Sequence, residues 1–440
     1  MFRSTLTLLI LLVPLVASTQ QPTQNSHPQS LLPHPLSVGH GLTIALSLPR
    51  EFNINVALTG LHRVRFFAMA PDHRLFVTDM YDRTDNHRGT VYILDGWNPE
   101  SHTFTRAIPY LQHLRNPNNL AFFTDARDQQ WLYLPLTDRL LRFKYKAGDT
   151  APSSAPEVLA HYPDYGLNYK YGGWHLTRTV EFARLPKAAT TTGALQDSTR
   201  GSYVDKLFVT VGSSCNACVE KEPIRASMSV MNPDGSNQRI VAKNLRNAVA
   251  MQWDDKSDTL YLTNMGDDQL GNHTPEDPFF SITAAQIERD LATSQPLDYG
   301  WPYCYFENGT VHPDLVFGKS PNAHCDKVPA AYTTFTAHSS PLGFVLFPST
   351  DTLLKDTFLV ALHGAGHPRI GTGYKIVRFT AQDRTPEDFL TGFYQRTKIP
   401  GKRDDVRVLG RPCGIYRTGP DSFLVTDDIQ GVIYAIYPAH

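Results

Sequence analysis

Residues 63–81 read RVRFFAMAPDHRLFVTDMY, and residues 89–96 continue GTVYILDG. An apolar run rich in Val, Phe and Met meets a Pro-Asp-His turn, a second apolar run follows, and a third comes after a polar loop. This is a text of short strands joined by turns. It recurs down the chain: NLAFFTDARDQQWLYLPLTDRLLRFKY at 119–145, WHLTRTVEF at 174–182 with DKLFVTVGS at 205–213 and RASMSVMNPDG at 225–235, and LRNAVAMQWDDKSDTLYLTNMG at 245–266. SSPLGFVLFPSTDTLLKDTFLVALHG at 339–364 with GYKIVRF at 373–379 makes a fifth group, and GRPCGIYRTGPDSFLVTDD at 410–428 with GVIYAIYP at 431–438 a sixth. Six such units predict an all-β, six-bladed β-propeller, in which blades too small to stand alone bury both faces against their neighbours. A β-sandwich would leave strands over. The strand at Leu42–Leu48 is the expected closure of the ring in the last blade.

Outward from this core, the first residues, MFRSTLTLLILLVPLVASTQQ, order a positive start, a short apolar stretch and small residues, as a secretory signal peptide does. Residues 1–19 are expected as that signal, 20–40 as a flexible leader rich in Pro, Gln and Ser, and 41–440 as the propeller. A loop insertion is expected around 267–330, with a helix over 281–295 capped by Ser281. The implied location is secreted, extracellular or periplasmic. Hydrophobic residues are 41%, charged residues 19% and the net charge is −1, which gives no electrostatic reason for a nucleic-acid partner. No later run is apolar enough for stable membrane insertion. For an exported chain, Cys215 and Cys218 are expected to pair locally and Cys304 with Cys325, leaving Cys413 buried. Asn272 and Asn308 begin glycosylation sequons.

Polar residues that interrupt the strand text are the candidates for chemistry: His175 and Arg178, Arg246 and Asn247, Asp267, Asp268, Glu276 and Asp277, then His363, His367, Arg369 and Arg411. Each also has a structural reading. His175 suits a hydrogen-bonded blade edge, the arginines suit links between blades, and GDDQLG at 266–271 suits a polar turn. Its clustered oxygens also suit calcium, without the spacing of an EF-hand. No HExxH, GxSxG or Walker sequence is present.

Taken in order, VRFFAMAPDHRLFV, GGWHLTRTVEF, VTVGSSCNACVE, LRNAVAMQW, GDDQLGNHTPED, YGWPYC, ALHG, GRPCG and VTDDIQGVIYAI resemble the soluble quinoprotein glucose/sorbosone dehydrogenases, especially their sorbosone and fungal pyranose branches. The resemblance runs over most of residues 55–438. It implies a propeller holding pyrroloquinoline quinone (PQQ) and calcium near its axis. His175 matches the family's catalytic base, and Arg246 and Asn247 its cofactor-binding pair. Arg411, Arg65, and His363 and Arg369 of HGAGHPR are further expected cofactor contacts. Gly266, Asp267 and Asp268 form the expected calcium turn, through backbone carbonyls as much as carboxylates. The substrate implied is a small sugar, polyol or related alcohol or aldehyde, and the electrons would leave to an external acceptor. HGAGHPR departs from the HGSWNR common in this branch, and Leu409 stands where a tryptophan is common before GRP. The other functions weighed are a noncatalytic extracellular propeller binding carbohydrate or protein and a calcium-dependent lactonase-like hydrolase.

Overall fold

The computed structural model describes residues 30–39, 41–164, 175–186, 203–268 and 270–439. The expected signal segment and most of the expected leader lie outside the described residues. Six antiparallel sheets of four strands, one of them extended by a fifth, follow one another along the chain. Blade 1 is Val64–Met69, Leu75–Asp79, Gly89–Asp95 and Arg106–Leu114. Blades 2 to 5 begin at Ala121–Thr124, Arg178–Pro186, Met251–Asp254 and Pro341–Leu346. Blade 6 takes Pro412–Gly419, Ser422–Asp427 and Val432–Pro438, and its fourth strand from the start of the chain.

That closing strand is Phe52–Leu58, paired antiparallel with Val432–Pro438, and not the expected Leu42–Leu48. The earlier segment is one arm of a separate hairpin, Leu31–Ser37 against Thr43–Pro49. Ile44, Leu46 and Leu48 alternate inward and pack with Phe389, Leu390 and Phe393 of the blade 5 edge. A period of two with one face buried identifies a strand but not its partner. Leu31–Ser37, expected as part of a flexible leader, is instead a strand of this hairpin.

The region around 267–330 is also woven further into the ring than a loop insertion. Asp277–Thr283 is the third strand of blade 4, and Leu297–Asp298 adds in parallel to blade 3. The helix is Ala284–Thr293, capped by Thr283 in a reciprocal box with Gln286. Ser281 belongs to the preceding strand, so the helix starts later than its sequence suggested. Disulfides join Cys215 to Cys218 and Cys304 to Cys325, and Cys413 is buried and free. No helix among the described residues is long and apolar enough to cross a membrane.

Apolar clusters lie between neighbouring blades. Val64, Val77, Leu424 and Ile433 join blades 1 and 6, while Tyr261, Phe279, Phe358 and Val360 join blades 4 and 5. Burying each such side chain is worth ~1.5–3 kcal/mol. A polar staple repeats on top of this. At or just after the end of the second strand of five blades, a threonine hydroxyl donates to a carbonyl at the start of the next blade. The pairs are Thr78 to Asn118 (2.5 Å), Thr137 to Leu176 (2.9 Å), Thr210 to Ala248 (2.8 Å), Thr263 to Leu342 (3.0 Å) and Thr426 to Arg65 (2.7 Å). Gly414 lets the inner strands of blades 6 and 1 meet, since a Cβ there would stand 2.2 Å from the Arg65 carbonyl oxygen. Thr210→Val keeps the shape and strands the Ala248 carbonyl, so it is expected to cost ~1–3 kcal/mol in urea unfolding. A variant as stable as the parent would show that the staple contributes nothing.

Candidate functional site

Loops entering the first strand of each blade and loops leaving the second strand reach the same end of the ring, because these strands pair antiparallel at those ends. There they enclose a cavity of about 260 Å³. His175, Asn247, Asp268, His363, Arg65 and Arg411 of the expected residues line it, together with Arg63, Arg83 and Met265, which the sequence reading did not select.

His175 is held in a left-handed backbone conformation, φ 47°. Its ring fits because residue 212 is glycine: a Cβ there would lie 2.6 Å from the His175 Cβ and 2.5 Å from Asn247 Oδ1. His175 Nδ1 is 3.1 Å from the Ser213 carbonyl oxygen and 2.8 Å from Ser213 Oγ. The hydroxyl already donates to the Cys215 carbonyl at 2.7 Å. Both Ser213 oxygens therefore accept from Nδ1–H, and the lone pair of the neutral ring falls on Nε2. Loss of water, and then the nearby Arg246 guanidinium, push the His175 pKa well below the ordinary histidine value. The ring is neutral at neutral pH.

Behind it, Arg246 is buried and does not itself line the cavity. It donates to the Asn216 carbonyl (2.8 Å), to Asn216 Oδ1 (2.6 Å) and to Asp268 (3.2 Å). Asn216 Oδ1 also accepts from the Asp268 backbone N–H at 2.9 Å. One side chain from the Cys215–Cys218 loop thus fixes both the arginine and the 266–268 turn. On the other flank His338 faces two acceptors, Gly271 carbonyl at 2.6 Å and Asp268 at 3.4 Å. The Asp268 hydrogen bond raises the His338 pKa. Burial alone would raise the Asp268 pKa, but His338 and Arg246 hold it below the ordinary carboxylate value. Beneath the turn Asp277 accepts from the backbone N–H of Gly266 (2.7 Å) and Ser340 (2.8 Å), and burial pushes its pKa up to about 7.

The opposite wall is built on Asp428. Its Oδ2 receives Arg63 and Arg65, both at 2.7 Å, and its Oδ1 receives His363 Nε2 at 2.8 Å. Arg65 also forks onto Asn118 Oδ1. His363 is neutral, its pKa lowered to about 3 by burial, and Arg411 donates to its Nδ1 at 3.3 Å. Arg411 further reaches the carbonyls of Gly364 and Ala365 and stacks on Tyr374.

Arg369 is not brought into the cavity. Its guanidinium reaches the Asp404 carbonyl at 3.2 Å in the hairpin Tyr394–Thr397 and Asp405–Val408, and its own carbonyl receives Arg396. Gly366, His367 and Pro368 carry the chain outward first, so HGAGHPR gives the cavity only His363, Gly364 and Gly366. Gly266 and Asp267 border a separate pocket of about 30 Å³ with Pro275 and Glu276. Among the described residues, the one set of three close metal-ligating side chains is Cys215, Cys218 and Glu220, whose sulfurs are bonded to each other. His338, Asn216 and Asp428 were missed because each reads in sequence as an isolated polar residue in a loop. TDD at 426–428 carried the nearest signal, a second aspartate following the strand-ending one.

A family model described as TrAA12-like matches residues 50–439. The holo form of the pyranose dehydrogenase PQQ domain from Coprinopsis cinerea gives a TM-score of 0.63 at 16% identity, over 89% of this chain and 97% of that one. A calcium structure of a Trichoderma reesei carbohydrate-active enzyme of family AA12 gives 0.62 at 14% identity, over 90% and 97%. An uncharacterized protein of Borreliella burgdorferi is 26% identical over 260 residues, 58% of this chain and 63% of that protein. The chain thus spans a little under two thirds of that relative's length. At these identities the structural likeness shows the fold.

Proposed function

We propose that this chain, which belongs to the TrAA12-like family, is an exported, quinone-dependent dehydrogenase of a sugar, polyol or related alcohol. The observation that carries this reading is a neutral histidine of fixed tautomer in the wall of a cavity rich in arginine. PQQ is an anionic, planar cofactor with several carboxylates, and guanidinium groups match that chemistry. The residues fit it: Arg63, Arg65 and Arg411 share a wall that suits its carboxylates, and Asn247 Oδ1, buried without a hydrogen-bond partner among the described residues, is an acceptor suited to its ring N–H.

When bound, the quinone supplies a two-electron acceptor for the hydride of the substrate carbon, and calcium polarises it. His175 takes the proton of the substrate hydroxyl on Nε2, while Ser213 holds the other nitrogen as a donor. Arg246 stays behind the wall, keeping the 266–268 turn in place. Asp268 is committed to Arg246 and His338. Calcium at this turn would be held, as the resemblance implies, by the backbone carbonyls of Gly266 and Asp267, which border the smaller pocket. A lactonase would need several carboxylates or amides converging on one ion, whereas among the described residues Asp268 is the single carboxylate and Asn247 the single side-chain amide lining the cavity.

The test is reconstitution of the purified protein with PQQ and calcium, followed by calorimetry and dye reduction across a panel of sugars. Saturable quinone binding with sugar-dependent dye reduction is expected. A protein that binds no quinone is not this enzyme.

A further inference from the structure

We infer that the substrate carries a carboxylate and that Arg83 receives it, so that the cavity selects a sugar acid over the neutral sugar. This rests on the dehydrogenase reading for turnover, but not for binding.

The loop at 80–88 is tightly built. Asp82 accepts from the backbone N–H and the hydroxyl of Thr84, at 2.8 and 2.5 Å, and pairs with Arg88. Arg115 forks onto both oxygens of Asp85, at 2.9 and 2.7 Å, and Asn116 donates to the Thr84 carbonyl at 2.8 Å. The other charged side chains of the loop are thereby answered. Arg83 is exposed, lines the cavity and makes no ion pair or hydrogen bond among the described residues. A hydrogen-bonded loop thus holds at the mouth a guanidinium with no counter-charge among the described residues.

Position separates Arg83 from the arginines suited to the cofactor. Arg65 and Arg411 are buried, and Arg63 shares Asp428 with Arg65. Those three form the inner wall. Arg83 stands outside them, near enough that it adds to burial in lowering the pKa of Arg63 and of Arg411. A third cation beside these two is unfavourable until an anion arrives. The neighbouring HGAGHPR wall offers Gly364 and Gly366 beside His363, whose ring nitrogens are already taken by Asp428 and Arg411. Recognition on that side is therefore by charge. A guanidinium fork takes a carboxylate through two parallel hydrogen bonds and gains little from a hydroxyl.

The experiment titrates D-glucuronate and D-galacturonate against D-glucose and D-galactose by calorimetry, with and without PQQ and calcium, for the wild type, Arg83→Gln and Arg83→Lys. The acids are expected to bind the wild type ~10-fold or more tightly than the sugars, an advantage that shrinks with added salt. Arg83→Gln should collapse that ratio, and Arg83→Lys should keep part of it. In the loaded enzyme, the acid-to-sugar ratio of kcat/KM should follow, chiefly through KM. Equal binding of acid and sugar by the wild type overturns the proposal, as does a preference that survives Arg83→Gln. Loss of quinone affinity in Arg83→Gln with the acid preference intact would assign Arg83 to the cofactor instead. A wild type that binds uronate but no quinone overturns the dehydrogenase reading and leaves the role of Arg83 standing.

Discussion

His175→Ala in the quinone-loaded protein is expected to lower kcat by roughly 10²–10⁴-fold, the usual contribution of a positioned general base. Quinone affinity should change by less than about twofold, because the arginines of the opposite wall are untouched. Two further readouts separate a base from a merely structural histidine. First, the depressed pKa of His175 leaves the imidazole deprotonated well below pH 6.5. The acid limb of kcat/KM should thus lie below the ordinary histidine value rather than at it. Second, Ser213→Ala removes one of two acceptors from Nδ1 and leaves the carbonyl. It should cost less than His175→Ala and should raise the population of rings with the lone pair on the wrong nitrogen. Imidazole added to His175→Ala should restore part of the rate. A fully active His175→Ala would remove this residue from the mechanism.

Much of this was legible in the sequence because a propeller repeats. The phrases LFVTD at 75–79, LFVT at 207–210, YLTN at 261–264 and LVTD at 424–427 place a threonine where the staple to the next blade forms. Blade 5 has Ala361 there instead. The same periodicity places Arg63, His175, Asn247 and Arg411 before first strands, which explains why they share one end of the ring. Pairing between distant segments was not legible. Phe52–Leu58 and Thr43–Pro49 are both apolar alternations, and only tertiary packing decides which one completes blade 6. Arg369 failed for a different reason. Its motif, HGAGHPR, already departs from the HGSWNR of the branch, and the turn at Gly366–Pro368 sends the side chain to another hairpin. The counter-charges, Asp428 and His338, escaped because pairing across a ring leaves no local spacing to read.

Asp428→Asn is expected to destabilise the protein by ~3–5 kcal/mol at pH 7, since it leaves two buried guanidinium groups without their counter-charge. The Asp428 side chain is wholly buried, and Arg63, Arg65 and His363 all terminate on it. Burial would raise its pKa, but Arg63 foremost, with His363 and Arg65, holds it far below the ordinary carboxylate value. A folded pKa below the unfolded one means that the unfolded chain binds more protons. The stabilisation is therefore complete above the unfolded value of about 4 and is lost as pH falls below it. The gap between wild type and Asp428→Asn should shrink in the same window. Its neighbour Asp427 has the opposite sign. It accepts backbone N–H groups of Arg411, Ile429 and Gln430 and has no guanidinium partner among the described residues, and burial pushes its pKa up to about 6. Its contribution is present below the unfolded pKa and fades as pH rises through about 6. Asp427→Asn should therefore cost most in acid and least above pH 7. Urea unfolding of both variants from pH 3.5 to 8 reads the two slopes. Parallel curves for the two aspartates, or an Asp428→Asn variant within about 1 kcal/mol of wild type at pH 7, would mean that this wall does not depend on its ion pairs. The two arginines would then have to be satisfied from elsewhere, and their availability to an anionic cofactor would need a different origin.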